Sequence, residues 1–269
     1  MGHYPTKGTW QTCPACGRHV HHSQWGTYQQ CPYCHYWRRL TAATRIEQLV
    51  DAGSFDAVSL TATTTNALQF PHYDEKLAKA AANAAGADEA VTIGWATFSA
   101  WPAMLIVMDS HFMMGTLNTT VARRIMAAIQ LAEKRQVPVI IVTASGGARM
   151  QEGLYSLVGM NLILAELARL AAVPLPLITV LTDPTMGGVS ASFAFKGDVI
   201  LAEAGAKIGF AGARVIQQTM PVSLPVDFQT ADSLLAHGQV DAVIERPQLR
   251  TTLIEILASY AYQGGPHHG

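Results

Sequence analysis

Residues 137–153, VPVIIVTASGGARMQEG, and residues 175–194, LPLITVLTDPTMGGVSASFA, are two copies of one unit. Each is an apolar, β-branched run, then a small polar turn, a Gly-Gly pair and a segment of helical character. A short apolar run of this kind, bounded by turn residues, reads as a strand buried on both faces. Working outward, similar runs occupy residues 104–108, 199–202 and 207–210, with helical periodicity over 121–134 and 151–170. Strands alternating with helices predict an α/β architecture. An Ala-rich helix is expected over 76–87, and RIEQLVDA (45–52), with Thr44 as its cap and Gly53 just past its end, reads as a helix that enters the main body.

The glycine pairs, Gly146-Gly147 and Gly187-Gly188, have two readings. They permit a tight turn from strand to helix, or they present backbone N–H groups at a helix N-terminus with no Cβ in the way, where donors and dipole together hold an oxyanion. The second gains weight because the unit occurs twice. Arg149 falls in the first turn of its expected helix, where a cation opposes the dipole by a few tenths of a kcal/mol. Something must hold it there: a phosphate, a carboxylate, or a neighbouring acid such as Glu152. Asp183, before Pro184, is a turn former or a chemical group. Arg214, in GFAGARVIQQT (209–219), is a ligand contact or a surface charge. No GxSxG, HExxH, GxxxxGK[ST] or GxGxxG is present, so a serine hydrolase, a zincin, a P-loop and a dinucleotide fingerprint are unsupported. Chemistry by backbone donors remains.

At the other end of the chain, CPACGRHVHHSQWGTYQQCPYC (13–34) places fourteen residues between two CxxC pairs. Cys13, Cys16, Cys31 and Cys34 fit one structural zinc, because four thiolates close a tetrahedral shell and leave no open position for catalysis. About 35 residues cannot bury enough surface to fold alone, and the metal supplies what is missing. The expected division is a zinc module over 1–45 and a main domain over 46–269.

The charge is uneven. Residues 1–46 carry Lys7, Arg18, Arg38, Arg39 and Arg45 and no acid, whereas the remainder holds thirteen basic and nineteen acidic residues, a net of −6. The N-terminal module is therefore expected to face something anionic, a nucleic acid or a phosphorylated cofactor. With 49% of its 269 residues apolar, the chain can bury a large core. The longest greasy region, 161–182, is broken by Glu166, Arg169, Pro174 and Pro176, and the N-terminus lacks the apolar stretch of a signal peptide. A cytoplasmic location with no membrane partner is expected, and reduced thiols there favour metal over disulfides.

The strings SGGARMQEG (145–153), LTDPTMGGVSASFA (181–194), GFAGARVIQQT and LPVDFQTADSLLAHGQVDAVIER (224–246), with the CxxC pairs ahead of them, resemble the β subunits of bacterial acetyl-CoA carboxylase carboxyltransferases. NALQFPHYDEKL (66–77) and DSHFM (109–113) extend the resemblance through nearly the whole chain. It implies a crotonase-like (ClpP/crotonase) ββα spiral preceded by a small zinc ribbon. It implies transfer of a carboxyl group from carboxybiotin, held on a biotin carboxyl carrier protein, to acetyl-CoA, giving malonyl-CoA for fatty acid biosynthesis. The family site has two oxyanion holes of backbone N–H groups shared with an α subunit, expected as an α2β2 heterotetramer working with biotin carboxylase. Carried over, the β contribution falls on Gly187 and Gly188, with Gly146 and Gly147 as the second donor turn; Arg149 and Arg214, read from their own positions beside the glycines, are the candidate substrate-binding cations. Biotin itself accepts the α-proton in that scheme.

This chain departs from the family at FMMGTLN (112–118), where FMGGSMG is usual, so that Met114 and Asn118 replace glycines; Ala204 and Ala213 stand where proline is common. One crotonase-like domain supplies half of a two-hole site, so the isolated chain is expected to be inactive. Two rivals stand beside this reading. One is another acyl-CoA carboxyltransferase or decarboxylase on the same fold. The other is a nucleic-acid-binding zinc protein, whose Trp25, Tyr28, Tyr33, Tyr36 and Trp37 would stack on bases.

Overall fold

A computed structural model describes residues 9–60, 63–84 and 87–264, with the side chains at 83, 214 and 261–264 outside that description. Contacts divide the chain between Leu40 and Thr41. The expected boundary after residue 45 would fall inside a helix, which belongs wholly to the second unit.

The first unit is a short antiparallel hairpin, β1 (Trp10–Thr12) and β2 (His19–His21), with a bridge between Gln30 and Trp37. Two knuckles repeat one backbone pattern. Cys13 N donates to Arg18 O and Gly17 N to Cys13 O; Cys31 N donates to Tyr36 O and His35 N to Cys31 O. Each ends on a left-handed residue, Gly17 (φ 71°) or His35 (φ 60°). Its small core is Cys13, Val20, Trp25 and Cys31, with Tyr36 packed against it.

The second unit opens with α1 (Ala42–Leu49), β3 (Asp56–Ala57) and α2 (Tyr73–Asn83). Helix α1 starts earlier than its sequence pattern indicates. The capping hydroxyl is that of Thr41, which accepts from Thr44 N, so Thr44 lies within the helix, and the chain leaves it at Val50. There follow β4 (Val91–Phe98), β5 (Trp101–Met108), α3 (Thr119–Arg135), β6 (Val139–Ser145), α4 (Leu154–Leu170), β7 (Leu177–Met186), α5 (Gly187–Ser190), β8 (Val199–Glu203), β9 (Ile208–Gly209), α6 (Ala213–Thr219), α7 (Ala231–Ala236), β10 (Ala242–Ile244) and α8 (Leu249–Gly264). One sheet runs β10-β8-β7-β6-β5-β4-β3, with β9 on the far end of β7. From β5 to β10 its neighbours pair in parallel, and the β4–β5 and β3–β4 pairs are antiparallel.

Alternate residues of the central strands feed opposite faces, as the pleat requires. Met104, Ile106, Val139 and Ile141 pack with α3 and α4; Leu105, Val107, Ile140 and Val142 pack with α1 and α8. Every residue of β6 is buried, which explains its unbroken apolar run. Arg45, read from sequence as part of a basic N-terminal surface, is buried instead and pairs with Glu203, which also binds Arg246 at 2.6 Å. Burial opposes the Glu203 charge, but the two guanidinium groups outweigh it and hold the carboxyl below its ordinary range.

Candidate active site and metal centre

The two glycine turns, forty residues apart in sequence, meet in space. They leave the C-terminal ends of the adjacent parallel strands β6 and β7, which is where α/β sheets place their ligands. A Cβ built on Gly147 would lie 3.3 Å from Gly187 Cα and 3.4 Å from Gly188 N; one on Gly187 would lie 3.2 Å from Gly147 Cα. Both residues have positive φ, 113° at Gly147 and 61° at Gly187, so the turns approach this closely because neither carries a side chain.

The donors are not equivalent. Gly146 N donates to Met114 O at 2.8 Å, Gly147 N to Ser145 Oγ at 3.1 Å, and Gly187 N to Phe210 O at 2.9 Å. Among the described residues no acceptor is paired with the N–H of Gly188, nor with that of Ala148, whose neighbours Gly147 and Arg149 make both bonds to Leu117. Three of the four expected glycine donors thus hold the turns together, and Gly188 stays open. The sequence gives no sign of the open Ala148 N–H, because a backbone donor leaves no mark on its side chain. Behind the turns, Thr143, Thr182 and Thr185 form a buried hydroxyl chain, with Thr143 Oγ1 2.8 Å from Thr185 Oγ1 and Thr182 Oγ1 donating to Thr143 O at 2.7 Å. Asp183 precedes Pro184 through a cis peptide bond inside β7. A cavity of about 340 Å³ opens beside Met186, lined also by Lys207, Ala213, Pro225, Phe228 and Gln229.

Arg149 does not sit in the first turn of a helix. A 3-10 turn, Met150–Glu152, separates it from α4, so the dipole argument does not apply. Its side chain is fully buried and its donors are all taken: Nη2 and Nη1 reach Glu89 at 2.6 and 2.9 Å, Nη1 also reaches Tyr73 Oη at 3.3 Å, Nη2 also reaches Thr116 O at 2.9 Å, and Nε reaches Thr116 Oγ1 at 3.1 Å. The acid that holds it is Glu89, sixty residues away, not Glu152. Burial works against the Arg149 charge, but Glu89 more than restores it and raises its pKa. The side chain of Arg214 lies outside the described residues.

The departures at FMMGTLN are absorbed locally. Met114 keeps a left-handed backbone (φ 59°), a conformation costing a non-glycine residue roughly 1 kcal/mol, and its carbonyl receives the Gly146 N–H. Asn118 caps α3 by accepting from Val121 N at 2.7 Å. Helix α4 turns Leu154, Tyr155, Leu157, Val158 and Leu162 to the exterior, an apolar stripe unusual for a lone chain.

In the first unit, the four cysteine sulfurs lie within 4.8 Å of one another, with Cys13 and Cys34 at 3.7 Å and Cys16 and Cys31 at 3.9 Å. A tetrahedron with metal–sulfur bonds of about 2.3 Å has edges of about 3.8 Å, so the donor set fits one tetrahedral ion. The base-stacking reading fares worse. Trp25 is 2% exposed, and Arg38 stacks on its ring at 4.7 Å while donating to Gln11.

The sequence profile of the carboxyl transferase domain matches residues 35–246. The acetyl-coenzyme A carboxylase carboxyl transferase subunit beta 1 of Lactiplantibacillus plantarum is 68% identical over 99% of this chain and all of its own length. The subunit beta of Desulforamulus reducens is 44% identical, over 94% of this chain and 88% of its own. Among solved structures, transcarboxylase 12S superposes with a TM-score of 0.69 at 24% identity, over 81% of this chain and 42% of that one. The malonate decarboxylase hetero-dimer of Pseudomonas gives 0.63 at 22%, over 82% of this chain and 86% of that one. These likenesses place the main unit in the crotonase-like fold. With a matching profile over most of its length and full-length relatives at 68% identity, the chain belongs to the carboxyl transferase domain family, among the β subunits of acetyl-coenzyme A carboxylase.

Proposed function

We infer that this chain is the β half of a carboxyltransferase that moves a carboxyl group from carboxybiotin to acetyl-CoA, yielding malonyl-CoA. The observation that carries the reading is the meeting of two glycine turns with open N–H groups at Gly188 and Ala148. Removal of the α-proton of acetyl-CoA puts negative charge on the thioester oxygen, and preorganised backbone donors are suited to that oxygen. Gly188 N–H and Ala148 N–H supply them, while Gly146, Gly147 and Gly187 fix the turns that aim them. Loss of one such donor typically costs 10²–10³-fold in rate. Arg149 serves the turn instead of the substrate. The binding role of Arg214 rests on its place after two glycines in the sequence alone.

A second hole, for the ureido oxygen of biotin, is assigned to an α subunit in an α2β2 assembly. The apolar stripe on α4 supports association with another chain, since exposed apolar patches mark interfaces. Biotin arrives on its carrier protein after charging by biotin carboxylase, in the cytoplasm; among the described residues no helix is long and apolar enough to cross a membrane. Zinc on Cys13, Cys16, Cys31 and Cys34 is structural, one per chain.

The test is malonyl-CoA formation by the purified chain alone and with its α partner. Activity only in the mixture, with acetyl-CoA favoured over propionyl-CoA and free malonate, is the expected result. Full activity from the chain alone sinks the half-site argument. A preference for another substrate moves the chain to the transcarboxylase or decarboxylase side of its fold.

A further inference from the structure

We propose that Glu89, Arg149 and Asn118 are positioning residues that clamp the loop 112–118 onto the Gly146-Gly147 turn and so set the register of the backbone donors. The proposal rests on the carboxyl-transfer reading for its kinetic consequences and on geometry for the clamp itself.

Both sides of the junction are tied to one buried group. Arg149 leaves the turn three residues after Gly146, and its guanidinium crosses to the loop, binding both the hydroxyl and the carbonyl of Thr116. The backbones join at the same point: Leu117 N donates to Gly147 O and Arg149 N to Leu117 O, both at 2.8 Å, and Gly146 N donates to Met114 O. Glu89, ahead of β4, neutralises Arg149 through a two-pronged pair in which both side chains are fully buried. A fork of this kind fixes a guanidinium in orientation as well as position.

Asn118 completes the arrangement. Its Nδ2 lies 2.8 Å from Glu89 Oε2 and 3.0 Å from Glu152 Oε1, bridging two buried carboxylates of which only Glu89 is paired with the guanidinium. Its Oδ1 is committed to capping α3. Glu152 is further held by Thr119 N at 2.9 Å and Tyr73 Oη at 3.0 Å. A glycine at position 118, the usual family residue, has no side-chain amide for either carboxylate, so in this chain Asn118 is part of what keeps the loop and turn in one register.

The test uses the full chain assembled with its α partner. Arg149→Lys keeps the charge but a single ammonium cannot span Glu89 and Thr116 together. Hydrogen exchange over 112–118 and 143–153 is expected to accelerate at least about tenfold, a loss of about 1.4 kcal/mol of local protection. kcat is expected to fall about 100-fold, the scale of a 1 Å misplacement, with the KM for acetyl-CoA within about threefold. Asn118→Gly should show the same pattern more weakly. A merely structural role would lower the melting temperature and leave kcat per folded molecule and the exchange of these two segments unchanged, and that result overturns the proposal. Should Arg149→Lys fail to fold, Glu89→Leu/Arg149→Met removes both charges together, which a core tolerates far better than one alone. Normal kcat in that variant likewise overturns the clamp. A wild-type complex that carboxylates no acetyl-CoA sinks the functional reading instead, and the exchange measurement alone then decides whether the clamp holds the turn.

Discussion

The turn at Gly146-Gly147 and the turn at Gly187-Gly188 follow the same sequence unit, yet the molecule anchors them in opposite ways. The first is tied from behind, by Met114, Leu117 and the buried Glu89–Arg149 pair. It continues through a 3-10 turn before any α-helix begins. The second runs straight into α5, and among the described residues its one outside backbone bond is Gly187 N to Phe210 O. Two turns built alike in sequence therefore do different work. The first is a fixed wall with one open donor, and the second rests against it. Their contact is backbone on backbone, which is why a Cβ at Gly147 or Gly187 has no flexible neighbour to displace.

Four substitutions or conditions probe that difference. The largest effect is expected from Gly115→Ala, behind the first turn, where φ is +67° and the new Cβ would lie 1.9 Å from Ala144 O. Strain and overpacking add to a destabilisation of about 3 kcal/mol or more, read as a lowered thermal midpoint. A midpoint within a degree of wild type means the first turn is not rigid. Next comes Gly147→Ala, whose Cβ meets the backbone of Gly187 and Gly188 at a φ of 113°. It should cost about 1–3 kcal/mol and also abolish most carboxyl transfer.

Gly188→Ala reverses the balance. Its Cβ would fall 2.4 Å from Met160 Sδ and Cε, the mobile end of a thioether, which can swing aside. Stability should drop by less than about 1.5 kcal/mol, while the shifted donor lowers kcat on the order of tenfold to a hundredfold. If Gly188→Ala proves as destabilising as Gly147→Ala, the two turns are equally rigid and the contrast fails.

The smallest effect concerns Tyr73, whose hydroxyl bonds Arg149 and Glu152 beside the first turn. Burial, opposed by Arg149, pushes its pKa up to about 12 from 10. A phenol with a raised folded-state pKa contributes stability that is fully present below pH 10 and lost as pH climbs toward 12. Denaturant unfolding of wild type against Tyr73→Phe should show the difference between them shrinking across that interval. A constant difference would mean that the hydroxyl is not held by the buried network.

Legibility from sequence followed the kind of group involved. The four cysteines were readable outright, because metal binding depends on side-chain type and spacing, and the sulfurs come together as the spacing requires. The strands over 137–143 and 177–181 and the helix over 121–134 were readable because burial on both faces leaves an apolar run, and burial on one face leaves a period. Helix α1 began earlier than expected because Thr41 and Thr44 are both able to cap it, and only the packed position of the chain selects Thr41. The sequence leaves the Arg149 partner open among a phosphate, a carboxylate and a near acid such as Glu152, and gives no sign that Glu89 is the one.

The sequence by itself determined the α/β order of elements, the cluster of four cysteines, the glycine pairs and, through their combination, the family. Tertiary structure alone decided that the two pairs touch, that three of their four N–H groups are spent on holding them, and that Arg149 is bound to Glu89. The reason is physical: side-chain chemistry and periodicity are local properties written residue by residue. Which backbone donor remains open depends on acceptors such as Met114 O and Phe210 O, brought in from distant parts of the chain by the packing of the sheet.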